Sequence, residues 1–425
     1  MLDIKFIREN TEKVKENLAR RGGNFDIDAI VAIDTERRRF ATEVDRIRGE
    51  QNRASAEIKT AQGRGREEKI TRSRRIKEAL ATAEHALSEA DIRLNTLLRG
   101  LPNLVGETVP VGADEKDNKI LRVVGDLPRF DFVPRNYMYL ASTLDLIDTE
   151  RAAKVSGTRF GYLKNETALL EFALIQLAMD ELAPRGFHPI IPPVLIREEM
   201  MAGMGYIDSE KDRDERYFLE RDKLFLVGTA EQSLGPMHAD EILREQDLPL
   251  RYAGFSSCFR REAGSYGKDT QGILRVHQFD KVEMFSFVLP ELSEEEHKLL
   301  LDTEETLMQK LALPYRILAL CSGDLAAPSA GTYDIEAWLP GQNSGKGEYR
   351  ETHSTSNTTS FQARRLNIRV RRKNGEIQFV HMLNGTAFAM GRMIIAILEN
   401  YQQADGSVLI PDALQKYMGM KIIAR

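Results

Sequence analysis

From Ile30 onward the apolar residues recur in alternating steps of three and four: Ile30, Ile33, Phe40, Val44, Ile47, Ala54, Ile58 and Ala61. Arg37 and Gln51 interrupt this seam without breaking its phase. A polar stretch at 62–66, with Gly63 and Gly65, intervenes, and the register resumes at Ile76, Leu80, Ala83, Leu87, Ala90, Leu94, Leu97 and Leu101. The spacing predicts two helices of roughly 30 residues, folded back on each other as an antiparallel coiled coil roughly 45–50 Å long. A seam that narrow cannot serve as a globular core, so the pair is expected to project as an arm. Between residues 59 and 77 lie eight basic residues and two acidic ones. Two readings of that excess stay open: a solvated coiled-coil face, or a tip that binds nucleic-acid phosphates by shape and charge.

The rest of the chain needs a core of its own. Its 425 residues suffice for two or three domains, and 42% apolar with 29% charged residues is an ordinary globular composition. The net charge of −5 excludes a generally basic nucleic-acid binder, so any such partner must be met by a local patch. Only Cys258 and Cys321 are present, too few for a disulfide framework or a cysteine-rich zinc site, and both are expected to be small buried strand residues in a reducing compartment. The charged opening residues lack a signal-peptide core, and no run reaches the length of a membrane span. The chain is therefore expected to stay where it is made. Leu101-Pro102-Asn103 and the Val-Pro-Val-Gly run ending at Gly112 mark a linker, placing a domain boundary near residue 105. Residues 165–183 are patterned as an amphipathic helix. Residues 185–195 read as an apolar strand whose prolines suit an edge or an interface.

Residues 255–285 read as a long β-hairpin around a polar loop with Gly264, Gly267 and Gly272. Period-two alternation puts Arg260 and Glu262 on one face of the first strand, and Phe279, Lys281 and Glu283 on one face of the second. If the faces coincide, the surface can hold a triphosphate, stack a base and grip an amine. Thr229 and Glu231 would point the same way on an extended backbone. Glu351 and Ser354 offer oxygen ligands of the kind a hard cation takes. Residues 382–401 run from a strand through a small-residue turn into an apolar helix, with Arg392 near its start. Singly, each admits a structural explanation: a strand end, a surface carboxylate, an arginine paired with a structural acid.

Together they resemble the seryl-tRNA synthetases of the common bacterial type, class II aminoacyl-tRNA synthetases, over essentially the whole chain. The likeness rests on Leu101-Pro102-Asn103, the run Lys154-Val-Ser-Gly-Thr-Arg-Phe160, Tyr333-Asp-Ile-Glu-Ala-Trp338, Phe361-Gln-Ala-Arg-Arg365 and the three class motifs. These are the segment 185–195 with Pro193, the hairpin with Phe259-Arg260-Arg261-Glu262, and the segment ending in Gly391-Arg392. The resemblance implies an α+β protein. A tRNA-binding domain over 1–105 carries the coiled-coil arm, and a catalytic domain over 106–425 is built on a mixed, mainly antiparallel sheet flanked by helices. It implies ATP-dependent activation of L-serine and its transfer to tRNA(Ser), with selenocysteine tRNA as a further acceptor where one exists, by a cytoplasmic homodimer.

By the same carry-over Arg260, Glu283 and Arg392 are catalytic. Thr229, Ala230, Glu231, Arg260, Glu283 and Thr386 surround serine. ATP falls to Arg260, Arg261, Glu262, Val276 and Phe279, and to Glu351, Thr352, His353, Ser354 and Arg392, with Mg²⁺ on Glu351 and Ser354. In the family the arm of one subunit meets a tRNA bound over the other subunit's active site, and Arg64, Arg66, Arg72, Arg74 and Arg75 are the arm residues expected to touch it. His353 stands where the family usually has a small side chain, and Ala387 where the third motif often has glycine.

Overall fold

The computed structural model describes residues 1–60, 62–263 and 271–425. Ala61 of the predicted seam, and Gly264 and Gly267 of the predicted hairpin loop, lie outside them. The chain divides into two compact units, Met1–Pro102 and Asn103–Arg425.

The first unit is dominated by helices α1 (Ile27–Thr60) and α2 (Arg64–Arg99). Val44, Ile47 and Ala54 of α1 are buried with Ile76 and Leu80 of α2, as the three–four spacing requires. Ion pairs cross the seam in antiparallel order: Arg48 with Glu84 at 2.8 Å, Arg93 with Glu36 at 3.3 Å, and Lys69 with Glu57 at 3.8 Å. Three details depart from the pattern. The helix α2 begins at Arg64, so Arg64 and Arg66 belong to its first turn rather than to a polar break. Leu97, expected in the seam, is 38% exposed, while Leu98 is buried at 3%, because the step from Leu94 is four residues here and not three. Asp34 is buried in the apolar stripe of α1, where Arg8 from the short helix Ile4–Glu9 neutralises it.

The second unit is built on an eight-stranded sheet. Its strands are β1 (Lys119–Val124), β2 (Phe187–Ile190), β3 (Leu250–Phe259), β4 (Gln278–Val288), β5 (Tyr315–Ala319), β6 (Gly331–Leu339), β7 (Glu348–Asn357) and β8 (His381–Ala389). They lie in the order β1-β5-β6-β7-β8-β4-β3-β2. Every neighbouring pair is antiparallel except β2 with β3. The helices α3 (Glu166–Leu182), α4 (Ser293–Lys310) and α5 (Met390–Asn400) pack against this sheet. Their apolar faces (Leu170, Leu174 and Leu177; Leu300 and Leu307; Ile394 and Ile397) join Val282, Met284, Ile335 and Phe388 in one core. Along β7 the pleat sorts the side chains. His353 and Thr355 are buried, while Ser354 and Ser356 line a cleft.

The segment 185–195 is not one strand. Phe187–Ile190 forms the edge of the large sheet, and Leu195–Arg197 pairs instead in a separate three-stranded sheet. Pro192 and Pro193 lie between them; neither can donate to a ladder, so the chain changes sheets there. Asn103 is buried, and its side-chain amide donates at 2.9 Å to the carbonyls of both Pro328 and Thr358. Cys258 and Cys321 are both buried and free. Among the described residues no helix is long and apolar enough to cross a membrane.

Candidate active site

The hairpin positions most of the site. In its register Phe279 faces Cys258 and Gln278 faces Phe259, the last residue of β3. Arg260 and Glu262 therefore lie beyond the strand, and their predicted alternation along it does not hold. The ladder ends at Phe259, and three residues further on Glu262 adopts a left-handed conformation, φ 52°. Hydrogen bonds to the second strand's approach fix the exit. The Arg260 amide donates to His277 O at 3.0 Å, and His277 Nδ1 donates to Arg260 O at 3.0 Å. Arg260 Nε donates to Gly228 O at 3.2 Å, and the guanidinium lies 5.3 Å from the centre of the Phe279 ring. Arg275 pairs with Glu262 at 2.8 Å. Arg261 is exposed, 5.9 Å from the Tyr217 ring.

Opposite the hairpin, β8 passes straight into α5 at Met390. The small residues expected to form a turn there are the end of the strand. Arg392, in the first turn of α5, donates to Glu351 O at 2.9 Å and pairs with the Glu351 carboxylate at 3.1 Å. Desolvation raises the pKa of Glu351, but the charges of Arg392 and Arg260 outweigh it and hold the carboxyl below its ordinary range. Arg260, Glu262, Val276, Phe279, Glu351 and Arg392 thus line one pocket.

A second pocket adjoins it and shares Arg260, Lys281, Glu351 and Thr386. The β4–β8 register sets Thr386 opposite Glu283, just past a bulge at Val282. Glu283 is 1% exposed, accepts from Thr229 Oγ1 at 3.1 Å and is paired with Lys281. Burial pushes its pKa up to about 7, against the downward pull of Lys281 and with a further push from Glu231. The segment Thr229-Ala230-Glu231 is not extended. Ala230 has helical angles, and Glu231 opens the short helix Glu231–Leu234. Both Thr229 and Glu231 reach the pocket through this turn, while Ala230 is fully buried. Glu231 is itself buried, with one oxygen 2.9 Å from the Tyr206 hydroxyl and the other 3.1 Å from Gln362 Nε2. Burial raises its pKa in spite of those donors.

Of the remaining expected residues, Ser354 and Thr352 line the second and first pockets respectively. His353 turns its ring into the core, 5.9 Å from Phe388, with Nδ1 2.8 Å from Thr352 Oγ1. Burial lowers its pKa to about 3, so its imidazole stays neutral, and His353, expected at the nucleotide site, lines neither pocket. The sequence reading missed Tyr206, Arg216, Lys281 and Gln362 as site residues. Gln362 carried a signal, since it sits within the run 361–365; Lys281 shared a predicted face with Glu283. Tyr206 and Arg216 carried none. In the other unit Arg64, Arg66, Arg72, Arg74 and Arg75 are exposed and, among the described residues, none is held in an ion pair.

Known proteins resemble the chain in both units. Residues 1–105 match the seryl-tRNA synthetase N-terminal domain, and 217–401 match the class II tRNA synthetase core domain (G, H, P, S and T). The serine--tRNA ligase of Dictyoglomus turgidum is 48% identical over 426 residues, covering 100% of this chain and 99% of its own. The crystal structure of seryl-tRNA synthetase from Pyrococcus horikoshii complexed with ATP superimposes with a TM-score of 0.91 at 42% identity, covering 100% of this chain and 99% of that one. The cytoplasmic enzyme from Naegleria fowleri, in complex with AMP, superimposes with a TM-score of 0.88 at 33% identity, covering 100% and 98%. With both domains matched in order and the two pockets in place, the chain belongs to the seryl-tRNA synthetase family of class II aminoacyl-tRNA synthetases.

Proposed function

We propose that this chain activates L-serine with ATP and transfers it to tRNA(Ser), and to a selenocysteine tRNA where one exists. The observation that carries the reading is the pair of adjoining pockets that share Arg260, Lys281, Glu351 and Thr386. One suits a nucleotide. Phe279 stacks on adenine, Glu262 accepts from its amino group, and the Val276 backbone meets its edge. Arg392 covers the γ-phosphate, and Thr352 adds to the wall; Arg261 and His353, expected there, line neither pocket. The other suits serine. Glu283 and Thr386 take the hydroxyl, while Thr229 and Glu231 surround the ammonium end; Ala230, between them in sequence and buried, does not line the pocket.

The first step joins a serine carboxylate oxygen to the α-phosphorus and breaks the bond to pyrophosphate, which leaves with the electron pair. No covalent protein nucleophile is needed. In-line positioning and charge neutralisation by Arg260 supply the acceleration. The terminal ribose hydroxyl of tRNA then attacks the acyl carbon, and AMP departs. Alanine and glycine lack the hydroxyl that Glu283 and Thr386 receive, and the missing hydrogen bonds discriminate against them.

Glu351 and Ser354 fit Mg²⁺. Both are hard oxygen donors, and Glu351 stays ionised beside its arginines. Magnesium commonly takes its other ligands from substrate phosphate and water. Bound there, Mg²⁺ would neutralise charge on the triphosphate. Residues 1–105 serve as the tRNA-binding domain, residues 106–425 as the catalytic one, in a cytoplasmic homodimer where one subunit's arm serves the other's site. Exposed Leu169, Phe172 and Ile191, close to the edge strand β2 in sequence or in the same segment, support a subunit interface.

Pyrophosphate exchange tests the reading. Purified protein with ATP should exchange labelled pyrophosphate when serine is added and hardly at all with alanine, glycine or threonine. Exchange driven equally by those amino acids would sink the assignment.

A further inference from the structure

The serine pocket contains a cation that no motif announces. Arg216 follows the short helix Glu210–Asp214 and lines the pocket with Arg260, Glu231 and Glu283. Its guanidinium lies 5.4 Å from the centre of the Tyr206 ring. Among the described residues it forms no ion pair, and its buried Nε has no hydrogen-bond partner. Arg216 and Arg260 flank one glycine. A Cβ built on Gly228 would sit 3.5 Å from Arg216 Nη1 and 3.5 Å from Arg260 Cγ.

The ionic groups of the pocket pair off unequally. Lys281 is taken by Glu283, and Glu351 by Arg392. Arg216, Arg260 and Glu231 remain. Two guanidiniums and one carboxylate are complementary to a zwitterion whose ammonium faces Glu231 and whose anion bridges the arginines. Burial and the neighbouring charge of Arg260 weigh against the cation here and outweigh the favourable pull of Tyr206, Glu215 and Asp212; a bound carboxylate offsets both.

We propose that Arg216 is the second guanidinium of the amino-acid site and holds, together with Arg260, the α-carboxylate of serine before activation. The inference rests on the reading of this pocket as the serine site. It also fixes when the contact matters. Once the carboxylate oxygen has joined the α-phosphorus, the negative charge facing Arg216 is gone. The arginine therefore stabilises the bound amino acid more than the transition state, and its removal raises KM for serine rather than lowering kcat.

The test is pyrophosphate exchange by the full-length Arg216→Met and Arg216→Lys variants. The methionine keeps the bulk and loses the charge; the lysine restores charge without the fork. Arg216→Met should raise KM for serine roughly ten- to fiftyfold, as expected for one charge-assisted contact. KM for ATP and kcat should stay within about threefold, and Arg216→Lys should recover part of the loss. Ethanolamine, which is serine without its carboxylate, supplies the second readout as an inhibitor of exchange. Its inhibition constant should be the same in wild type and Arg216→Met. A serine KM within twofold of wild type overturns the proposal, as does an ethanolamine constant that rises in step with it. A change confined to KM for tRNA in the charging reaction also overturns it, because the anion would then be an RNA phosphate. Wild-type protein that shows no serine-dependent exchange refutes the underlying site assignment instead.

Discussion

Glu304 is fully buried on α4, its carboxyl facing the Thr386 backbone. It fits beneath the sheet at Gly385, where a Cβ would stand 3.2 Å from Glu304 Oε1 and 3.1 Å from the Met284 methyl. Burial, and then the charges of Asp334 and Glu283, push its pKa well above 4.5. The sign of the consequence follows. Between 4.5 and the raised value the folded chain holds a proton that the unfolded chain has released, so stability falls as pH rises through that window. Glu304→Gln cannot ionise. Its melting temperature should exceed the parent's at pH 8, with the advantage shrinking to nothing near pH 4.5. A difference independent of pH, followed by calorimetry, would show that Glu304 does not titrate in this window. Nothing in the sequence marked this residue. The missing side chain of Gly385 makes room for the carboxyl.

At the scale of elements, legibility followed the length of the pattern. Two helices of 34 and 36 residues repeat their apolar step often enough to survive Arg37, Gln51 and the misplaced Leu97. Short segments had no such redundancy. The first strand stops at Phe259, so the arginine and the carboxylate lie beyond the strand that alternation assigned them. One helical residue, Ala230, turned an extended Thr-Ala-Glu into a turn. In each case the side chains named by the resemblance still line the pockets, since naming them by residue did not depend on the periodicity of the backbone around them. Tyr206, Gln362 and Arg216 come together with Glu231 from distant segments, and no local pattern encodes that meeting. The arm offers a test of its own. Leu80 is buried against Val44 and Ile47, so Leu80→Ala should destabilise the helical pair by about 2–3 kcal/mol. Limited proteolysis should cut α1 and α2 faster. Exchange should be unaffected, whereas KM for tRNA should rise; a parallel loss of exchange would mean that the catalytic unit depends on the arm's packing.

For the whole molecule, the decisive contrast is between net charge and its placement. A chain of net charge −5 repels a polyanion on average, so recognition of tRNA must be concentrated where the local sign is reversed. Residues 59–77 meet that condition with eight basic and two acidic residues, and the exposed arginines there are not spent on ion pairs among the described residues. Such a patch binds by releasing counterions, which makes its contribution separable from chemistry by salt alone. In the full-length protein, changing Arg72, Arg74 and Arg75 together to Ala should leave serine-dependent exchange unchanged at every ionic strength. The same variant should raise KM for tRNA and flatten its dependence on salt by up to about three units of slope, one for each phosphate contact removed. If the slope stays at its wild-type value, the arginines are a solvated face of the coiled coil and tRNA is held elsewhere. If the slope falls by less than three, the shortfall counts the arginines that do not reach phosphate, which turns a charge pattern read from sequence into a map of the RNA's path along the arm.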